Sequence, residues 1–215
     1  MAGKSGGGSW YRYCTIFFFL EILFLIAFSS PRYISKVIAY EGIKIEDSLG
    51  TNTLRELDKR TSQWFNTSLI ESGAYAEIWH MLIPNEYERK KSGSLNNLGN
   101  GLFRWVDDRL TVCMFLIFQF FERLHLMLMW LPSSALVFAA AGYTGLELRR
   151  IKQGDFAYAS PVRHRTAAKV ITGVIAILPL YFLMPFAISP YIYPIVNCTI
   201  AFLIMIIISN IAKRI

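Results

Sequence analysis

Cysteine, histidine and charge are all scarce in this chain. Three cysteines occur in 215 residues, Cys14, Cys113 and Cys198, far apart and each inside an apolar run. Neither a disulfide framework nor a zinc site with paired ligands can be assembled from them. The histidines His80, His125 and His164 are equally scattered, and none lies in an HExxH sequence. No GxSxG turn presents a nucleophile, and no GxxxxGK[ST] loop could cradle a phosphate. The N-terminal KSGGGS has its glycines in the wrong order for such a loop, and no strand precedes it. The common routes to metal-dependent, serine-dependent and ATP hydrolysis therefore lack their apparatus. No catalytic, metal-binding or cofactor-binding residue is expected.

Charged residues make up 17%, against the roughly 25% usual in soluble domains. Hydrophobic residues reach 54% and aromatics 15%, and the mean hydropathy is +0.38. A disordered chain is excluded, and a membrane protein is indicated. The first apolar run, 13–29, is broken only by Glu21 and is long enough for an uncleaved anchor; Ser29, Ser30 and Pro31 make a poor cleavage site. The second, 110–146, would make a helix of roughly 55 Å, against a hydrocarbon thickness of about 30 Å. Glu122, Arg123 and His125 in its middle do not suit a hairpin turn. One span over about 124–146, kinked at Pro132, is expected, with Leu110 to Phe121 lying at the interface or extending the span. Runs 170–188 and 195–212 form an antiparallel pair joined by SPYIYP at 189–194. Pro179 and Pro185 imply kinks whose freed carbonyls need side-chain partners or water. The expected fold class is thus an all-α polytopic membrane protein with four transmembrane helices and an external, partly helical segment between the first two.

The net charge of +7 suggests a nucleic-acid binder until it is partitioned. Segment 30–109 holds equal numbers of basic and acidic residues. The excess lies in the 1–12 tail with Lys4 and Arg12, in segment 147–169, and at 213–215 with Lys213 and Arg214. Four spans place all three stretches on the cytoplasmic side of a bacterial inner membrane, with both termini inside. Outside, a helix is expected over about 53–82, capped by Thr53 with Glu56 and carrying an apolar stripe through Trp64 and Trp79. The Gly- and Asn-rich YERKKSGSLNNLGNG that follows reads as a loop.

Two groups of polar residues invite a role. Glu21, Glu122, Arg123 and His125 are the intramembrane polar residues. Glu21 costs several kcal/mol in hydrocarbon and must face protein. It serves either a proton or ion relay, as in a small transporter or channel subunit, or a hydrogen bond to another helix, for instance to Thr172 or Asn197. The structural role is preferred, since the last two spans hold no ionisable group to continue a relay. Glu122, Arg123 and His125 are expected as a solvated cluster near the outer boundary. The second group is Arg149, Arg150, Lys152, Arg163, His164, Arg165 and Lys169 in the basic segment, which brackets Phe156 and Tyr158. Orientation with contact to anionic membrane lipids accounts for it without further assumptions; docking of a cytoplasmic protein and contact with DNA are the alternatives.

The chain resembles the small inner-membrane proteins of integrating conjugative elements and large conjugative plasmids. The likeness rests on the first span and long external segment, on a Leu-rich second span ending in Glu147-Leu148-Arg149-Arg150, on Arg163-His164-Arg165 with Lys169, and on the final hairpin with SPYIYP. It covers mainly residues 124–210. It implies a non-enzymatic partner of the coupling ATPase that feeds DNA to a type IV secretion channel, assembling with that ATPase, with other membrane proteins or with copies of itself. The architecture is similar to septal DNA translocases, whose four-span part anchors a cytoplasmic motor. Contact with DNA is then expected to pass through the partner.

The topology is checked with single cysteines introduced at positions 112, 121 and 150 into a chain lacking its native three. Arg150→Cys should react with a membrane-impermeant thiol reagent only after the cytoplasmic side is opened, and labelling in intact cells would overturn the arrangement.

Overall fold

The computed structural model describes residues 7–82, 96–155 and 160–211. Lys4, most of the YERKKSGSLNNLGNG stretch, Phe156, Tyr158, Lys213 and Arg214 lie outside the described residues. Among the described residues every regular element is helical. The helices are α1 (Gly7–Phe28), α2 (Pro31–Leu49), α3 (Thr51–Phe65), a π-helical turn (Asn66–Glu71), α4 (Ala74–Leu82), α5 (Asn96–Met129), α6 (Leu131–Gly154), α7 (Pro161–Leu183) and α8 (Ile192–Ser209). Arg104–Met129 of α5, α7 and α8 are each long and apolar enough to cross a membrane, and a fourth crossing arises if α1 and α2, bent by 114°, form one broken span. This is an all-α polytopic membrane fold.

The chain divides into two compact units. One contains α1 from Thr15, α2 to α4, α5 as far as His125, and the segment Phe182–Ser189. Its α1 ends at Phe28 because Ser29-Ser30-Pro31 starts a new helix. The Ser30 side chain accepts from the backbone N–H of Tyr33, and Pro31 occupies a first-turn position where no N–H is needed. Arg109 Nη1 of α5 lies 2.8–2.9 Å from the carbonyls of Ile26, Ala27 and Ser29, which α1 itself leaves unpaired. Leu25, Ile34, Val112 and Leu116 form the core, and Phe65 and Trp64 of α3 stack edgewise on Phe118 and Phe121 of α5. The expected 53–82 helix is interrupted by the π-helical turn and by Gly73 at φ 76°. Its start is set by Gly50 at φ 87°, a conformation glycine adopts without strain; Thr53 donates to Leu49 O and caps nothing.

The other unit holds the last turn of α5, α6, α7 as far as Tyr181, and α8. The long run 110–146 breaks at Trp130, beside Pro132 where the sequence places a kink, and Leu110 to Phe121 belongs to the continuous α5. Pro132 explains the break: it has no N–H and its ring crowds the carbonyl one turn back. The Trp130 carbonyl then accepts from the Ser134 N–H and from the Ser133 and Ser134 hydroxyls. α6 and α8 run parallel, joined by Asn197 Nδ2 to Ser134 Oγ at one end and by Lys152 to Ser209 and Asn210 at the other. α7 is antiparallel to α8, with His164 beside Ile207 and Tyr181 edgewise on Tyr193. Gly145 makes the α6–α8 approach possible, because a Cβ there would lie 3.0 Å from Ile208 Cβ and 3.1 Å from the Met205 carbonyl.

Gly145→Ala should therefore destabilise the protein by about 1–3 kcal/mol through overpacking against backbone. Gly142→Ala, with nothing within 4 Å of the added carbon, should leave stability unchanged or raise it by about 0.5–1 kcal/mol. Thermal unfolding of both variants in the same detergent compares them directly.

Candidate functional site

α2 places apolar residues at helical spacing on its buried face, Ile34, Val37 and Ile45, and sets Glu41 among them. Gln119 and Arg123 stand one turn apart on α5. Arg123 is 0% exposed and Glu41 1%. The two form a bidentate pair, Nε to Oε1 at 2.9 Å and Nη2 to Oε2 at 2.8 Å, with Gln119 Nε2 at 3.4 Å from Oε2.

The same guanidinium closes the end of α7. Pro185 lacks an N–H and disfavours helix in the residue before it, so α7 stops at Leu183 and its last carbonyls are left over. Arg123 donates to Met184 O at 2.9 Å, Phe186 O at 2.7 Å and Phe182 O at 3.3 Å. Tyr33 Oη donates to Pro185 O at 2.9 Å and Lys44 Nζ to Ala187 O at 2.7 Å. The sequence demanded partners for carbonyls freed at Pro185, and three side chains of this unit supply them.

The expected solvated cluster is in fact desolvated: Glu122 is 2% exposed and His125 4%, beside the fully covered Arg123. His125 Nδ1 donates to Phe121 O at 2.8 Å, and its ring stacks edgewise on Trp64 with centroids 4.5 Å apart. Glu122 Oε2 and His125 Nε2 are buried without hydrogen-bond partners. The charges of Glu41, Asp58 and Arg123 all act on Glu122. Partial burial pushes the Asp58 carboxyl of α3 above the usual carboxylate range. Glu21 is half-buried, feels the charge of Arg123, and has one carboxylate oxygen, Oε2, buried without a partner. Asn197, one of its two expected partners, donates to Ser134 instead. Among the described residues no group of three His, Cys, Asp or Glu side chains could hold a metal ion. With Arg123 and Glu41 closed on each other and on backbone carbonyls, the arrangement is a clamp.

The basic residues of 147–169 separate into two sets. Lys152 Nζ donates to Ser209 O at 3.2 Å and Asn210 Oδ1 at 3.1 Å, and His164 Nδ1 donates to Ile207 O at 3.2 Å. Asn210, only 4% exposed, also accepts from the Ser160 N–H and donates to Ile206 O and Ser209 Oγ. This latch ties the end of α6 and the start of α7 to the end of α8. Arg163, Arg165 and Lys169 are exposed, Arg150 is exposed and paired to Glu147 at 2.6 Å, and Arg149 is half-buried. Sequence reasoning missed Glu41, Tyr33, Lys44, Gln119 and Asn210. The available signal for Glu41 was its place on an otherwise apolar α2 stripe.

Fold and site together define a polytopic helical membrane protein built around a buried arginine clamp, with a cationic surface at one end of its α6–α8 unit. The family described as IncC plasmid conjugative DNA transfer protein DtrJ-like matches residues 37–213, and the chain belongs to it. It is accordingly a membrane-embedded protein of a conjugative DNA transfer family, associated with the transfer machinery, in agreement with the resemblance drawn from its motifs. No curated protein and no solved structure matches the chain.

Removing one partner from a buried ion pair costs about 3–5 kcal/mol, because the other charge is left uncompensated. Arg123→Leu and Glu41→Leu should each lower stability by about that amount. The double variant should recover Glu41→Leu only in part, since three carbonyls stay without their donor. Glu122→Gln should be tolerated, an amide having the same shape and no charge to bury. Thermal unfolding in detergent measures all four, and full recovery in the double variant would show that the carbonyl contacts contribute little.

Proposed function

We propose that the protein is a docking scaffold in the bacterial inner membrane that holds the coupling ATPase of a conjugative DNA transfer system. In this reading both termini and the 147–169 segment face the cytoplasm, and the spans pack against those of the ATPase or of further copies. The carrying observation is the sorting of the basic segment: Lys152 and His164 are latched to the end of α8, while Arg163, Arg165 and Lys169 stay exposed on a helix start whose position the latch holds. Membership of a conjugative DNA transfer family supplies the context in which such a surface meets a partner. Fixed cations favour electrostatic steering and specificity toward an acidic protein surface. DNA is reached through the partner, because the described helices present no nucleic-acid-binding module.

The test is co-purification of the coupling ATPase with the tagged full-length protein from membranes carrying the transfer system. Wild type should retain the ATPase, and a variant combining Arg149→Ala, Arg150→Ala and Arg165→Ala should lose most of it at moderate salt while keeping its own unfolding temperature. Unchanged retention would remove the segment from the interface.

A further inference from the structure

The α6–α8 unit contains an open groove of about 570 Å³ that runs from the latch along α7 and α8. One end of it carries Lys152 and Arg163 with Thr166, Ser209 and Asn210, and among the described residues no acidic side chain lines it. Arg163 is exposed, and its guanidinium makes no ion pair among the described residues. Lys152 uses two of its three ammonium hydrogens on Ser209 O and Asn210 Oδ1. The first turn of α7 adds the positive end of its dipole at the same place. Farther along the two helices the walls are apolar: Ala167 and Val170 from α7, Phe202, Leu203 and Ile206 from α8. Arg163 and Val170 are seven residues apart on one helix, about 10 Å along its axis.

A cationic mouth above an apolar slot, on two helices with span-like hydropathy, matches one chemical species: a phosphate attached to an acyl chain. The geometry points to a specific site for an anionic phospholipid, its phosphate held by Arg163 and the free N–H of Lys152, and one acyl chain lying against Val170, Phe202 and Leu203. A soluble anionic partner would leave the apolar walls unmatched, and a neutral lipid would leave Arg163 unmatched. The bound lipid would also cover the Lys152–Asn210 latch from the membrane side. Arg163 is shared with the displayed cations of the ATPase reading, and Arg165, which does not line the groove, separates the two.

The test uses the purified full-length protein in a mild detergent, with phosphatidylglycerol and phosphatidylethanolamine added in turn and bound lipid counted by native mass spectrometry. Wild type should retain one phosphatidylglycerol in preference to phosphatidylethanolamine, and added inorganic phosphate should not displace it. Arg163→Gln should weaken retention about tenfold, the size expected for one charge-assisted contact. Leu203→Trp, which fills the slot and leaves the mouth intact, should weaken it comparably, whereas Arg165→Gln should leave it unchanged. Equal retention of the two lipids, displacement by phosphate, or equal losses in Arg163→Gln and Arg165→Gln would each overturn the proposal. The unfolding temperature of each variant, measured without lipid, separates loss of the site from loss of the fold.

Discussion

One guanidinium holds the α1–α5 unit in its arrangement. Arg123 faces Glu41 of α2 with two donors and the unwound end of α7 with the others, and it is fully covered while doing so. Only arginine has a planar fork with enough donors to serve a carboxylate and three carbonyls together; a lysine in the same place could serve the charge and not the geometry. The carboxylate and carbonyls offset the desolvation of the cation, and the cation in turn keeps Glu41 and the freed carbonyls from being buried unpaired. α2, α5 and the segment after α7 therefore depend on one another through this side chain.

Turning the chain in an apolar protein raises the same difficulty each time, because a broken helix releases carbonyls that hydrocarbon cannot satisfy. A different donor set answers it at each break. After α1 the donor is Arg109; at Trp130 it is the hydroxyl pair Ser133 and Ser134; after α7 it is Arg123 with Tyr33 and Lys44. At the last two breaks proline supplies the interruption, and at the first Pro31 opens the helix that follows. Charged side chains that look costly by composition are thus the means by which the backbone changes direction.

In the α6–α8 unit the latch at Asn210 divides a basic segment into charges that hold the structure and charges that are displayed. Lys152 and His164 belong to the first kind, Arg163 and Arg165 to the second. Membership of a conjugative DNA transfer family gives the displayed set the setting in which the proposed docking of a partner would occur. The groove beside Arg163, where the phospholipid site is proposed, lies at the same end of the unit.

The all-helical membrane class was legible in the sequence because hydropathy is a property of segments and needs no partner. Proline punctuation was legible for the same reason: the missing N–H at Pro132 and Pro185 acts locally, and the need for carbonyl partners at Pro185 followed directly. Family likeness could also be read from Glu147 to Arg150, Arg163 to Arg165 and SPYIYP. Glu122, Arg123 and His125 looked like residues seeking water at the outer boundary, and the structure buries them. The carboxylate that pairs with Arg123, Glu41, lies 82 residues away in sequence, in a segment where it counted only as one charge among many. By itself the sequence determined that the carbonyls freed at Pro185 needed donors. Only the tertiary structure decided which side chains supplied them, because burial, pairing and capping depend on which helices meet, and no local pattern records that meeting.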